Sequence, residues 1–170
     1  PRMVPGARPI AHLNYREAAE LSFYGAKVLH QRTMIPVVGL GIPVLTRSSM
    51  QPELPGTLVD GRFSPGSHPV KGISAVKDQA LLSLEGKGMA GVPGVAARMF
   101  GALAEREISV TMISQSSSES SICIAVPSHQ ASDAEAVLRH AFRRDLSAGL
   151  VEEVALRPSV ALVAAVGLGM

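Results

Sequence analysis

Between residues 80 and 156 the apolar positions change period repeatedly, and the changes predict strand, helix, strand, strand, helix, strand. Residues 80–85 form a short apolar run. Val95, Met99 and Leu103 then recur every fourth residue, the stripe of a helix over about 93–106 that lies on a sheet. Pro93 falls near its first turn, where a missing N–H costs nothing. Residues 108–114 alternate, with Ile108, Val110 and Met112 on one face, and 120–126 alternate again, with Ile122, Ile124 and Val126 together. Ser132 and Glu135 have capping-box spacing and open a helix to Leu146 that turns Ala134, Val137, Leu138 and Ala141 inward. Gly149 stops it, and 151–156 is the last strand. The implied class is α+β: a ferredoxin-like βαββαβ unit, an antiparallel sheet with both helices on one face.

Upstream, Pro1, Pro5 and Pro9 keep residues 1–14 extended. Asn14, with Glu17 three residues on, is a capping pair for a helix over 15–30 whose one face carries Ala18, Leu21, Gly25 and Leu29. A short helix follows Thr33 and is cut early by Pro36, and 42–47 reads as a strand. Residues 48–69 are rich in Pro, Gly and Ser, the strongest boundary signal in the chain, with one short strand at Thr57-Leu58-Val59. Another short strand over 73–76 precedes the main unit.

The turn after the first strand of that unit reads Gly86-Lys87-Gly88-Met89-Ala90-Gly91-Val92-Pro93-Gly94. Its opening returns 81 residues later, where Ala165-Val166-Gly167-Leu168-Gly169-Met170 aligns with Leu84-Glu85-Gly86-Lys87-Gly88-Met89. That period marks a repeated small domain, the second copy reaching only one strand and its turn. Gly86, Gly88 and Gly91 have the spacing of a dinucleotide fingerprint. Two features oppose that reading. The next strand ends Ile113-Ser114-Gln115, with no acidic residue for a ribose hydroxyl. Only Ser116 to Glu119 then separate the second and third strands, too few for a parallel crossover. A Walker loop fails as well, because no Ser or Thr follows Lys87 in the required setting. Two readings stay open: the glycines permit a tight turn, or free N–H groups of residues 91–95 at a helix N-terminus hold a small anion or zwitterion. Gln115 then offers a donor and an acceptor from the facing strand end. The Ser-rich tract 114–121 is equally open as a solvated turn or a ligand lip. Lys27 and His30 are surface cations or phosphate contacts.

Composition narrows the function classes. The 170 residues are 46% hydrophobic, enough for one domain or one with a partial neighbour. With 4% aromatics and no Trp, the core must be built from Val, Ile, Leu, Met and Ala. The net charge of +2 comes without a dense Lys/Arg patch, so no nucleic-acid partner is expected. Cys123 is the only cysteine, which excludes an intramolecular disulfide, and it reads as a small buried hydrophobe. No uncharged apolar run approaches the roughly 20 residues of a bilayer span, and no signal-peptide pattern opens the chain. A cytoplasmic protein without a membrane partner is expected. His12, His68, His129 and His140 lack metal-ligand spacing, and no metal is expected.

Longer motifs carry a family resemblance. Tyr15-Arg16-Glu17-Ala18-Ala19-Glu20-Leu21-Ser22-Phe23-Tyr24-Gly25-Ala26-Lys27-Val28-Leu29-His30 resembles a signature near the end of the aspartokinase catalytic domain. Pro1-Arg2 resembles the tail of that family's nucleotide-binding segment, and Pro55-Gly56-Thr57-Leu58-Val59 its closing strand. The βαββαβ unit resembles an ACT domain, a regulatory module that binds free amino acids. Residues 88–98 and 113–119 are similar to the bifunctional aspartokinase–homoserine dehydrogenase branch. Residues 163–170 resemble the first strand of a second ACT domain.

The resemblance implies residues 1–62 as the C-terminal part of a catalytic domain and 63–70 as a linker. It makes 71–158 an ACT domain and 159–170 a truncated second one. It implies a parent enzyme that transfers the γ-phosphoryl of ATP, with Mg2+, to L-aspartate, the first step of aspartate-family amino-acid synthesis. Arg2 and Lys27 would contact ATP phosphates. The family's amino-terminal lysine segment and aspartate site are absent, so no catalytic residue, cofactor or turnover is expected of this chain alone. Gly91, Val92, Pro93, Gly94, Val95, Ala96, Ser109, Ile113, Ser114, Gln115 and Ser116 would hold a feedback amino acid. The branch implies L-threonine, with Gln115 the leading contact. L-lysine is the alternative, and a ligand-free dimerisation module the third reading. Homo-oligomers through ACT domains are implied too. Two positions depart from the family pattern: Gln31 stands where a proline usually follows His30, and Leu168 where an acidic residue is common.

Overall fold

The computed structural model describes the chain except residues 1–3, 5, 27, 28, 65–67 and 170 and the side chain of Gln31. Backbone packing divides it into two units, residues 1–76 with 162–170, and residues 77–161.

In the first unit the chain runs β1 (His12–Asn14), α1 (Tyr15–Phe23), α2 (Gln31–Leu40), β2 (Val44–Thr46) and β3 (Thr57–Asp60). β3 is the middle strand, parallel to β1 with Asn14 opposite Asp60 and antiparallel to β2 with Val44 opposite Val59. Asn14 caps α1: its side chain accepts from the Arg16 N–H, and Glu17 accepts the Asn14 N–H at 2.8 Å. That is the capping box the spacing predicts. The helix nevertheless ends at Phe23, well short of residue 30. Gly25, at φ +94°, takes the backbone against the next segment, where a Cβ would stand 2.6 Å from the Ala75 carbonyl oxygen. Ala18 and Leu21 pack with Leu13, Tyr15, Met34, Val59 and Val166, but Gly25 and Leu29 do not continue a helical face. α2 also departs from expectation. It starts before Thr33, with His30 Nδ1 accepting the Arg32 N–H at 3.2 Å, and it carries Pro36 inside. The N–H that proline lacks would have met the Arg32 carbonyl, which lies in an exposed turn that solvent can satisfy.

In the second unit, β4 (Gly72–Glu85), α3 (Val95–Ala104), β5 (Met112–Gln115), β6 (Ser121–Pro127), α4 (Ala131–Ala141), α5 (Arg143–Ala148) and β7 (Glu153–Val166) follow in order, the two longest strands also reaching into the first unit. The sheet order is β5-β6-β4-β7, with β6 antiparallel to both β4 and β5. This is the expected α+β, ferredoxin-like arrangement, and its antiparallel pairings remove the dinucleotide fold. Ala80, Leu82, Leu84, Ile122, Ile124, Val126 and Val154 from the sheet bury Val95, Met99, Leu103, Ala134, Leu138 and Phe142 from the helices. The whole α3 stripe is therefore core.

Several boundaries moved. α3 is shorter than 93–106, and the second strand starts only at Met112, although Ile108 is buried. The runs predicted at 73–76 and 80–85 form one strand through Asp78, which sits at φ 57°; the strand predicted at 151–156 continues through Ser159, also at φ 57°, to Val166, within the 163–170 stretch that resembles the first strand of a second ACT domain. The Ser132–Glu135 box does not form. A 3₁₀ turn, Ser128–Gln130, runs directly into α4, and Glu135 pairs instead with Arg139 at 2.9 Å. The predicted single helix breaks at Phe142, whose ring is 0% exposed and fills the core. Val137 and Ala141 are only partly buried. Cys123 stands opposite Ser83 and Ser114 on the sheet face away from the helices and is half-buried, so it is not a core residue.

The repeated glycine turn rests on the same backbone pairing in each unit. The Glu152 N–H bonds the Glu85 carbonyl at 2.7 Å, and the Lys71 N–H bonds that of Val166, 81 positions after Glu85, at 2.8 Å. A Cβ on Gly86 would stand 2.7 Å from the Val151 Cα, and one on Gly88 2.7 Å from the Leu150 Cα. Gly167 lies as tightly against the Pro69 carbonyl. Main chain passes main chain here, which leaves no room for a side chain. The residue between the glycines turns its N–H to a carboxylate in both copies: Lys87 to Glu152 at 3.5 Å and Leu168 to Glu17 at 3.0 Å.

Candidate functional site

The second half of the first glycine turn is built differently from its anchored beginning. Gly91 and Gly94 take φ +71° and +86°, and a Cβ on either would meet open space. Gly94 is the N-cap of α3 and contributes no side chain, so no side-chain acceptor covers the first turn of that helix. Its N–H groups carry the positive end of the helix dipole. They open onto a cleft of about 410 Å³ lined by Met89, residues 91–96, Gln115, Glu119 and Ile122. Met89 and Ile122 are the buried floor. Gln115 pairs with Ile122 in the β5–β6 register, which puts its amide on the helix side of the sheet. Glu119, at φ 56° in the β5–β6 hairpin, reaches across, and its Oε2 accepts the Gly91 N–H at 3.0 Å. The hairpin is closed by Ser116 with Ser121 and by hydroxyl contacts from Ser118 to Ser116 and Ser120.

Of the residues expected to hold an amino acid, Gly91, Val92, Pro93, Gly94, Val95, Ala96 and Gln115 come together around this cleft. Ser109, Ile113, Ser114 and Ser116 do not line it. Ile113 and Ser114 are exposed, and Ser116 is occupied in closing the hairpin. Arg2 and Lys27, assigned to ATP by resemblance, lie outside the described residues. Sequence reasoning missed Met89, Glu119 and Ile122 as lining. The available signal for Glu119 was that it is the single charged residue in the Ser-rich tract 114–121.

Two carboxylates in the first unit are strongly held. Burial pushes the Glu17 carboxyl up, but the Lys71 ammonium at 2.8 Å and the Asn14 and Leu168 N–H groups outweigh it, leaving the group below its ordinary value. The Arg62 guanidinium, then His12 at 2.8 Å, hold Asp60 well below the usual carboxylate range. Neither lies at the cleft. Among the described residues no cluster of three or more His, Cys, Asp or Glu side chains could hold a metal, and no helix is long and apolar enough to cross a membrane.

The βαββαβ order, the one-sided helices and the glycine-lined cleft at the sheet edge define an ACT-type fold, and residues 82–142 match the family model of the ACT domain. Over its full length the chain is similar to the bifunctional aspartokinase/homoserine dehydrogenase of Haemophilus influenzae: 40% identical over 170 residues, 100% of this chain and 21% of that protein. It is 34% identical over 169 residues to lysine-sensitive aspartokinase 3 of Escherichia coli, 98% of this chain and 36% of that one. The solved structure of E. coli aspartokinase III in complex with lysine and aspartate matches with a TM-score of 0.71 at 35% identity, covering 98% of this chain and 36% of that chain. Clostridium acetobutylicum aspartate kinase matches with a TM-score of 0.85 at 24% identity, covering 100% and 38%, a likeness of fold alone. Together these matches support an aspartokinase fragment that contains an ACT domain. It spans about a fifth of the length of the bifunctional relatives.

Proposed function

We propose that this segment is the amino-acid-sensing part of an aspartokinase, and that its cleft binds free L-threonine. The observation that carries this reading is the uncapped first turn of α3 sharing a cleft with the Gln115 amide. A ligand carboxylate finds N–H donors at the helix end, and a side-chain hydroxyl finds both hydrogen-bonding roles on Gln115. The threonine assignment rests on similarity to the bifunctional enzymes. Lysine is the second reading, favoured by the E. coli relative that is named lysine-sensitive and whose structure holds lysine.

In the complete parent enzyme, binding would shift the ATP-dependent phosphorylation of L-aspartate by its differential affinity for two arrangements of the regulatory part. Pairing of ACT domains between copies, ATP and Mg2+ bound with help from Arg2 and Lys27, and a cytoplasmic setting belong to the same proposal, and the isolated segment would not turn over. Calorimetry on the 170-residue chain with threonine, lysine, methionine and isoleucine tests it. Threonine should bind, and Gln115→Ala should weaken it about fivefold to tenfold, the worth of one hydrogen bond. Heat from none of the four would refute the sensor, and unchanged affinity in the variant would remove Gln115 from the site.

A further inference from the structure

The cleft holds one ionisable side chain. Met89, the glycine-loop residues, Gln115 and Ile122 carry no charge, so Glu119 alone sets the sign opposite the α3 N-terminus. Its backbone is in the left-handed region, which costs a non-glycine residue about 1–2 kcal/mol. Its carboxylate spans from the hairpin to the glycine loop, and one oxygen takes the Gly91 N–H at 3.0 Å. Among the described residues no lysine, arginine or histidine forms an ion pair with it. The cleft therefore presents hydrogen-bond donors at one wall and a carboxylate with a free oxygen at the other.

Resting on the proposed amino-acid site, we infer that Glu119 is its specificity-determining residue: it receives the ligand's α-ammonium and excludes acidic amino acids. A neutral zwitterion matches both walls, its carboxylate on the helix end and its ammonium on Glu119. A ligand lacking the ammonium leaves a carboxylate facing it with nothing gained. A second carboxylate, as in aspartate or glutamate, adds like-charge repulsion at close range. Because Glu119 also takes the Gly91 N–H, the ligand carboxylate is left to the helix turn itself, which fixes the direction in which the ligand lies. The site so built cannot be filled by the acidic substrate of the proposed parent enzyme, however much of it accumulates.

Calorimetry on the full chain separates this inference from the reading beneath it. The probes are L-threonine with 3-hydroxybutyrate, which lacks the ammonium, L-lysine with 6-aminohexanoate, which lacks the α-ammonium, and L-aspartate. Whichever amino acid binds, its deamino partner should bind at least tenfold more weakly, and aspartate should not bind. Glu119→Gln keeps an acceptor for the Gly91 N–H but removes the charge. It should lower affinity for the amino acid about tenfold, leave the deamino partner unchanged and raise aspartate binding to measurable levels. Protection of the Gly91 amide from hydrogen exchange reports whether the hairpin tether survives in the variant. An amino acid and its deamino partner binding equally well to the unaltered chain would overturn the inference without any variant. So would a Glu119→Gln chain that binds the amino acid as before and still rejects aspartate; in both cases the site stands. No binding of either amino acid to the unaltered chain overturns the site and the inference together.

Discussion

Replacing Glu17 by alanine should be among the most damaging single changes in the first unit. The side chain is 1% exposed and accepts from three segments: the Asn14 N–H at 2.8 Å, the Lys71 ammonium at 2.8 Å and the Leu168 N–H at 3.0 Å. Lys71 is itself 10% exposed, so the alanine variant strands a nearly buried cation. Breaking a buried pair by removing one partner costs about 3–5 kcal/mol. Losing half of the α1 capping box adds about 1 kcal/mol. The Leu168 N–H adds little more if solvent reaches it. A loss of roughly 4–6 kcal/mol follows, a large share of the 5–15 kcal/mol typical of whole domains.

Native-state hydrogen exchange in increasing urea is the assay, with the Val59 and Leu21 amides reporting the unit and Leu168 the local contact. Removing both charges, as Glu17→Met with Lys71→Met, should recover much of the loss, because an apolar pair of similar volume leaves no stranded charge. An alanine variant within about 1 kcal/mol of the original, or a Leu168 amide as protected as before, would show that the three-way acceptor is not what holds this segment.

Acid should act through the same residue. The Glu17 carboxyl lies below its ordinary value near 4.5 in the folded chain, so its contribution is complete above that pH and fades as pH falls through the folded value. Thermal midpoints between about pH 5 and pH 3 should therefore drop less steeply in Glu17→Gln than in the original. Phe142→Ala should cost about 3–5 kcal/mol by urea unfolding, since the ring is fully buried and the Arg98 guanidinium lies 4.1 Å from its centre. Gly88→Ala should destabilise the second unit, because its Cβ meets Leu150 main chain. Gly101→Ala, in open space within α3, should instead raise stability by about 1 kcal/mol. Equal midpoints for the two glycine variants would contradict the close-approach argument.

Periodicity read the interior of the second unit well because burial there is one-sided. The Val95, Met99 and Leu103 stripe and the Ile122, Ile124 and Val126 alternation each fall on the core, and Asn14 with Glu17 forms the box their spacing announces. Failures arise where another contact, distant or local, overrides the preference that the pattern encodes. α1 ends just before Gly25, which turns left-handed at φ +94° against the Ala75 carbonyl, a long-range approach that no window of neighbouring residues can show. Ser132 and Glu135 have the right spacing, yet Arg139 competes for the glutamate and a preceding 3₁₀ turn removes the free helix end that a cap would satisfy. Asp78 and Ser159 carry strands through a left-handed residue, where the sequence pattern predicts separate segments. At the cleft, the glycine loop was legible from its place between strand and helix, and Gln115 from its place at the end of the next strand. Glu119 was not, because its reach to Gly91 depends on how the hairpin folds over.

The first glycine turn thus divides into two stretches with unequal mutational freedom. Gly86 and Gly88 are fixed by main chain passing beside them, and substitutions there would be selected against for folding alone. Gly91 and Gly94 face open space, so only the modest cost of their backbone angle restrains them. A library randomised over 91–94 should keep most of its members folded while redrawing the cleft wall. Under the proposed sensing role, ligand preference could then drift between related sequences without the sheet beneath the cleft ever being put at risk.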